Sequence, residues 1–112
     1  MEFSLDLVEN SASLKISKEI YLRILSKAIV QTEQDLKDLD AALPVSDFSK
    51  VQSIAHRLKG DYANMRVMPL SVIAKQINDI ARTSQDKQQL NDLAYQFKDY
   101  FRNLKNYITK AS

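Results

Sequence analysis

The sequence predicts an all-α protein, an antiparallel up-down four-helix bundle with a short N-terminal helix or cap. Three observations carry that prediction. The 112 residues include one glycine and two prolines, too few for the hairpin turns of an all-β domain. Apolar residues recur at three- and four-residue spacing in four long stretches, the period of an amphipathic helix. Short polar connections separate those stretches, and short connections join antiparallel neighbours. The length suits a single domain over 1–112, with core helices expected at about 18–43, 47–65, 69–82 and 86–110.

Residues 1–16 carry the weakest pattern. Phe3, Leu5, Leu7 and Val8 fit a short helix or an extended lead-in, and Leu14 and Ile16 fit a small cap. Ser17 is a good N-cap, with Glu19 in the first turn that follows. Tyr21, Ile24, Leu25, Ala28, Thr32, Leu36, Leu39 and Leu43 then form the first long stripe, which Pro44 stops. Ser46 or Asp47 caps a second helix whose stripe is Phe48, Val51, Ile54, Ala55, Leu58, Tyr62 and Met65. Arg66-Val67-Met68 reads as a break, and Pro69 suits the first turn of a third helix. That helix carries Leu70, Ile73, Ala74, Ile77, Ile80 and Ala81. After the polar turn Thr83-Ser84-Gln85-Asp86, the last stripe is Leu90, Leu93, Ala94, Phe97, Tyr100, Phe101, Leu104, Tyr107 and Ile108, fraying near Lys110.

Composition narrows the functional classes. The absence of cysteine removes disulfides and thiolate metal sites. No apolar run is long enough to span a bilayer, and no basic segment leads into an apolar block as in a secretory signal. A cytoplasmic location is the expectation. The net charge of +2, from 16 basic and 14 acidic residues, lacks the basic excess of a nucleic-acid binder.

One stretch stands apart: Ile54-Ala55-His56-Arg57-Leu58-Lys59-Gly60. It holds the only histidine and the only glycine of the chain, in what the stripe marks as mid-helix. A glycine there costs about 1 kcal/mol relative to alanine. The simplest return for that cost is access, because a missing Cβ beside the histidine lets a large partner come close. At 100° per residue, His56 falls roughly 150° from the centre of the apolar arc and should face solvent. Its neighbours on that face are Ser49, Gln52, Ser53, Lys59, Gly60 and Ala63, mostly small. Lys59, three residues on, could balance negative charge on a modified imidazole. From Lys50 to Arg82 the basic residues Lys50, Arg57, Lys59, Arg66, Lys75 and Arg82 outnumber Asp61 and Asp79, giving a locally positive face suited to an acidic partner.

The run Ala55-His56-Arg57-Leu58-Lys59-Gly60 resembles the signature of histidine-containing phosphotransfer (HPt) domains of phosphorelays, roughly A-H-x-L-K-G. Leu70, Ile73, Ala74 and Ile77 are similar to the family's pattern on the following helix, and the likeness covers roughly 17–80. The resemblance implies that His56 is the phosphoacceptor, Lys59 supports the phosphoryl charge, and Gly60 clears space for a receiver domain. Gln52, Ser53, Arg57, Gly60 and Ala63 would then form the receiver-docking surface. It further implies a phosphocarrier rather than an enzyme, whose chemistry is supplied by partner receiver or kinase domains. No cofactor is expected on this chain, with Mg²⁺ held by the receiver. The partners expected are response-regulator receivers and a hybrid sensor histidine kinase, with no nucleic acid, no direct membrane insertion and a monomeric state for the isolated domain. Free-standing protein and cytoplasmic end of a membrane-bound sensor kinase both fit. Three positions depart from the family pattern: Arg66 where glycine is common, Asn78 where an acidic residue or glutamine is frequent, and Asp61 where a small residue is usual.

Other readings are weaker. One histidine without a carboxylate cluster supplies too few metal ligands, and no nucleophile–base–orienter set surrounds it. The remaining alternative is a non-catalytic helical adaptor, which would tolerate loss of His56 where a carrier would not.

Overall fold

The computed structural model describes residues 5–111. Among them are five helices and no strand: α1 (Leu7–Ser13), α2 (Lys18–Ala42), α3 (Phe48–Asn64), α4 (Met68–Arg82) and α5 (Lys87–Ala111). Each begins for a local reason. Asp6, Ser17, Asp47 and Asp86 turn a side-chain oxygen onto the backbone N–H three residues ahead, at 2.8–3.2 Å. Helix α4 has no such cap; Pro69 stands in its first turn, where an N–H would have no intrahelical acceptor. Leu5, Leu14 and Ile16 pack partly buried against the core, and Val8 is exposed. Phe3 lies outside the described residues.

Three helix ends close in the same way. Lys15, Ser46 and Arg66 adopt positive φ of 59°, 57° and 64°. Around them, paired backbone bonds close the turns: Lys15 to Ala12 and Ile16 to Ser11, Ser46 to Leu43 and Asp47 to Ala42, Arg66 to Ala63 and Val67 to Tyr62. A fourth positive φ, 56°, occurs at Gln85 between α4 and α5. All four positions favour glycine, yet none has it. The one glycine sits inside α3, where φ is not positive.

Helices α2 to α5 pack in a closed cycle, each against its chain neighbour and α5 back against α2, with α1 laid on α2. Polar bonds show how the neighbours line up. Thr32 and Asp35 of α2 meet Tyr62 and Arg57 of α3. Gln52 and Lys59 of α3 meet Ala81 and Ser71 of α4. Glu33 and Asp40 of α2 meet Lys105 and Lys98 of α5. In the centre, the ring of Tyr62 stands edge-on to Phe97 of α5, centroids 6.1 Å apart. The hydroxyls of Tyr62 and Thr32 lie 2.6 Å apart. Burial pushes the Tyr62 phenol up to about 12.

The buried set follows the four stripes with few exceptions. Ile24 belongs to the first stripe in sequence but is 40% exposed. By the helical projection it lies at the edge of the apolar arc. Val67, read as part of a break, is 1% exposed. The left-handed Arg66 turns the chain back so that Val67 drops onto the core before α4 begins at Met68. Arg66 keeps the turn that glycine would make, and its guanidinium bonds Ser13 of α1 and the Ala63 carbonyl, both at 3.2 Å. Among the described residues no helix is long and apolar enough to cross a membrane.

Candidate functional site

Helix α3 carries every candidate residue, and its position is held from both flanks. On the α2 side, Asp35 pairs with Arg57, and Thr32 with Tyr62. On the α4 side, the Ser71 hydroxyl donates to the Lys59 carbonyl at 2.9 Å, and the Gln52 amide donates to the Ala81 carbonyl at 3.4 Å. The α3–α4 contact is the most extensive in the molecule. Ala55, Ser71, Ala74 and Ala81 are all buried, and such small side chains let two backbones approach.

His56 is exposed, on the side of α3 opposite Ile54, Leu58 and Tyr62. Its ring makes no hydrogen bond among the described residues. The two α3–α4 bonds set it level with the turn of α4 that carries Lys75, Asn78 and Asp79. Ser53 is exposed; Gln52, Lys59, Gly60 and Ala63 are half-buried. The Lys59 ammonium pairs with no carboxylate among the described residues. An ideal Cβ built on Gly60 meets no atom within 4 Å. The glycine therefore opens outward rather than making room for this chain's own packing.

The positive face carries one internal counter-charge. Asp79 bonds Lys75 at 3.0 Å and Arg82 at 3.4 Å. The hydrogen bond from Lys75 holds its carboxyl below the usual carboxylate range, and the charges of Lys75, Arg82 and Lys59 act the same way. Asp61 is exposed on α3, and Asn78 is half-buried with no bond to His56.

Arg57, expected at the docking surface, has one end of its guanidinium bonded to Asp35 of α2. Asp35 had no place in the sequence reading: its position falls within the arc of the α2 stripe, between Ile24 and Ala28, but a lone Asp signals solvent. Its side chain is 1% exposed. Ser71 was missed for a similar reason: a serine between apolar positions carries no mark of its target, the Lys59 carbonyl.

These features define a class: a helical bundle that presents one imidazole, unpartnered and approachable, on a rigid helix. A family model for the Hpt domain matches residues 23–107, most of the chain and every residue of the site. The chain belongs to the Hpt domain family. Members of that family serve phosphotransfer in phosphorelays through a phosphohistidine, work with response-regulator receiver domains, and are carriers rather than catalysts. The comparison with curated proteins found no match, and neither did the comparison with solved structures.

Proposed function

We propose that this chain is a phosphorelay intermediate. His56 accepts a phosphoryl group from a receiver-domain aspartate and passes it to another receiver. The observation that carries the reading is the exposed, unbonded imidazole of His56 beside an unpaired Lys59 ammonium and the open space at Gly60. In the forward step, Nε2 of the neutral imidazole attacks the phosphorus of the aspartyl phosphate in line. An N–P bond forms, the P–O bond to the aspartate breaks, and the carboxylate leaves with the electron pair. The reverse step on a second receiver regenerates His56.

Positioning and electrostatics carry such a transfer. Lys59 faces the added negative charge, and Gln52, Ser53, Arg57, Gly60 and Ala63 contact the receiver. This chain binds no cofactor; the Mg²⁺ belongs to the receiver's acidic site. A hybrid sensor kinase is the upstream source, the setting is cytoplasmic, and the isolated domain is a monomer. The crossing bonds between α2, α3, α4 and α5 support an antiparallel up-down arrangement.

The test is transfer from radiolabelled phosphoreceivers to the wild-type chain and to His56→Gln. Label on the wild type alone, labile in acid and stable in alkali, supports the carrier. A folded wild type that takes no label from any receiver favours the adaptor.

A further inference from the structure

The buried carboxylate of Asp35 lies apart from the reacting atoms, and its charged partner is Arg57. Its Oδ1 takes the Arg57 guanidinium and the Gln31 amide, the latter at 3.2 Å. Its Oδ2 is buried without a hydrogen-bond partner among the described residues. An ion pair in such a setting adds little stability, because desolvation offsets the attraction, and replacing both partners by apolar residues is often neutral or better. The half-satisfied carboxylate makes this site poorer still.

Arg57 looks different from its other end. Its side chain is 47% exposed, against 1% for Asp35. One nitrogen, Nη2, is held by Asp35, and its remaining donors meet no acceptor among the described residues. An arginine on a helix surface usually samples many rotamers, and ordering it on binding is costly. Here one end of the guanidinium is already tied to Asp35 in the free protein. The guanidinium is a planar fork suited to a carboxylate, adjacent in sequence to His56 and on the α2 flank of the His56 face.

We propose that Asp35 is a positioning residue. By fixing Arg57 from below, it presents the open edge of the guanidinium to an acidic side chain on the receiver that docks over His56. The inference rests on the phosphorelay reading and names one docking contact and what orders it. Arg57 lies outside the reacting atoms, so the contact governs docking rather than the rate of transfer once docked.

The experiment follows transfer as a function of receiver concentration. The probe is an isolated receiver domain, charged with radiolabelled acetyl phosphate and chosen because it labels the wild-type chain. Wild type is compared with Arg57→Gln, Asp35→Asn, Asp35→Leu and the double variant Asp35→Asn/Arg57→Gln, with a thermal melt of each. We expect KM for the receiver to rise about fivefold to tenfold in Arg57→Gln, the size of a docking charge contact. Asp35→Asn, which keeps the shape and removes the charge, should raise KM in the same direction. The double variant should be no worse than Arg57→Gln, because the two residues act as one unit. The rate at saturating receiver should stay at the wild-type value, a split that mere loss of folded protein does not produce. Asp35→Leu removes the carboxylate together with its unpartnered oxygen and should share the raised KM, whichever way its melting temperature moves.

An unchanged KM in either Asp35→Asn or Arg57→Gln overturns the inference, as does additivity in the double variant. If no receiver labels the wild type at all, the phosphorelay reading fails and this inference falls with it. Labelling of the wild type with KM unmoved by these variants defeats this inference alone.

Discussion

Gly60→Ala is the sharpest probe of the site because its two effects have opposite sign. The added methyl meets nothing within 4 Å in the free protein, and the residue is helical without a positive φ. Alanine therefore gains the helix-propensity difference with no packing penalty, about 0.8–1.0 kcal/mol of added stability. For a domain of this size that is a rise in Tm of about 4 °C, or about half a molar in the urea midpoint. If a receiver seats against the Gly60 backbone, the same methyl lies in the interface. Forcing an extra methyl into a close contact costs about 1–3 kcal/mol, or about 5- to 150-fold in the receiver KM. Circular dichroism melts and receiver-concentration series on one preparation read both quantities. A variant that is less stable than wild type by more than about 0.5 kcal/mol would show that Gly60 is needed inside the fold. A stabilised variant with unchanged KM would place the docked partner elsewhere on α3. Either result refutes the argument that the glycine serves access.

Other predictions follow from the same structure. His56→Gln should abolish labelling and shift stability by less than about 0.5 kcal/mol, since the ring is exposed and unbonded; urea titration checks the second half. Lys15→Gly should stabilise by about 1 kcal/mol, because φ there is 59° and the side chain makes no hydrogen bond or ion pair among the described residues; a paired urea titration decides it. Tyr62 should be among the last tyrosines to ionise in a spectrophotometric titration, near 12. A phenol whose folded pKa lies above its unfolded value binds its proton more tightly when folded, so its stabilising effect is complete below about 10 and is lost as pH rises toward 12. At about 1.4 kcal/mol per pH unit the loss is of order 2–3 kcal/mol, and alkaline unfolding inside that window, relieved in Tyr62→Phe, would confirm it. The Asp79 carboxyl should titrate below 3.8 by NMR and move up in Lys75→Met, which removes the first of the causes that hold it down. Its contribution is present above the unfolded pKa and fades as pH falls through the lower folded one.

What could be read from the sequence was whatever repeats with the helix period. The four stripes correspond to α2–α5, with ends displaced by a residue or two, because burial is paid back through many residues acting together. His56 was legible for the complementary reason: the same projection that groups Val51, Ile54, Ala55, Leu58 and Tyr62 leaves it on the far side. Features that depend on one long-range partner were not legible. The period of α2 places Asp35 on the inward arc, but nothing names its partner, since Arg57 stands 22 residues away. Ser71 likewise gains meaning only when α3 lies beside it. Val67 was hidden by the turn, whose left-handed residue is an arginine where glycine would have signalled the reversal.

The angular layout of α3 explains how such a small domain can leave the His56 face open. Around one helix, four arcs divide the duties. Val51, Ile54, Leu58 and Tyr62 face the core and supply stability. Two flanks hold the neighbouring helices, Arg57 toward α2 and Gln52 with the Lys59 carbonyl toward α4. The remaining arc, with Ser53, His56 and Gly60, makes no bond to the rest of the chain among the described residues. Because the flanks fix the helix, the outer arc needs no contacts of its own to stay in place, and can be given over to a partner. Substitutions should then sort by angle: core changes lower Tm, outer changes alter docking or transfer at constant Tm, and flank changes such as Asp35→Asn act on docking through the residue they hold. A scan of α3 in which docking losses tracked Tm losses, irrespective of angle, would contradict that division.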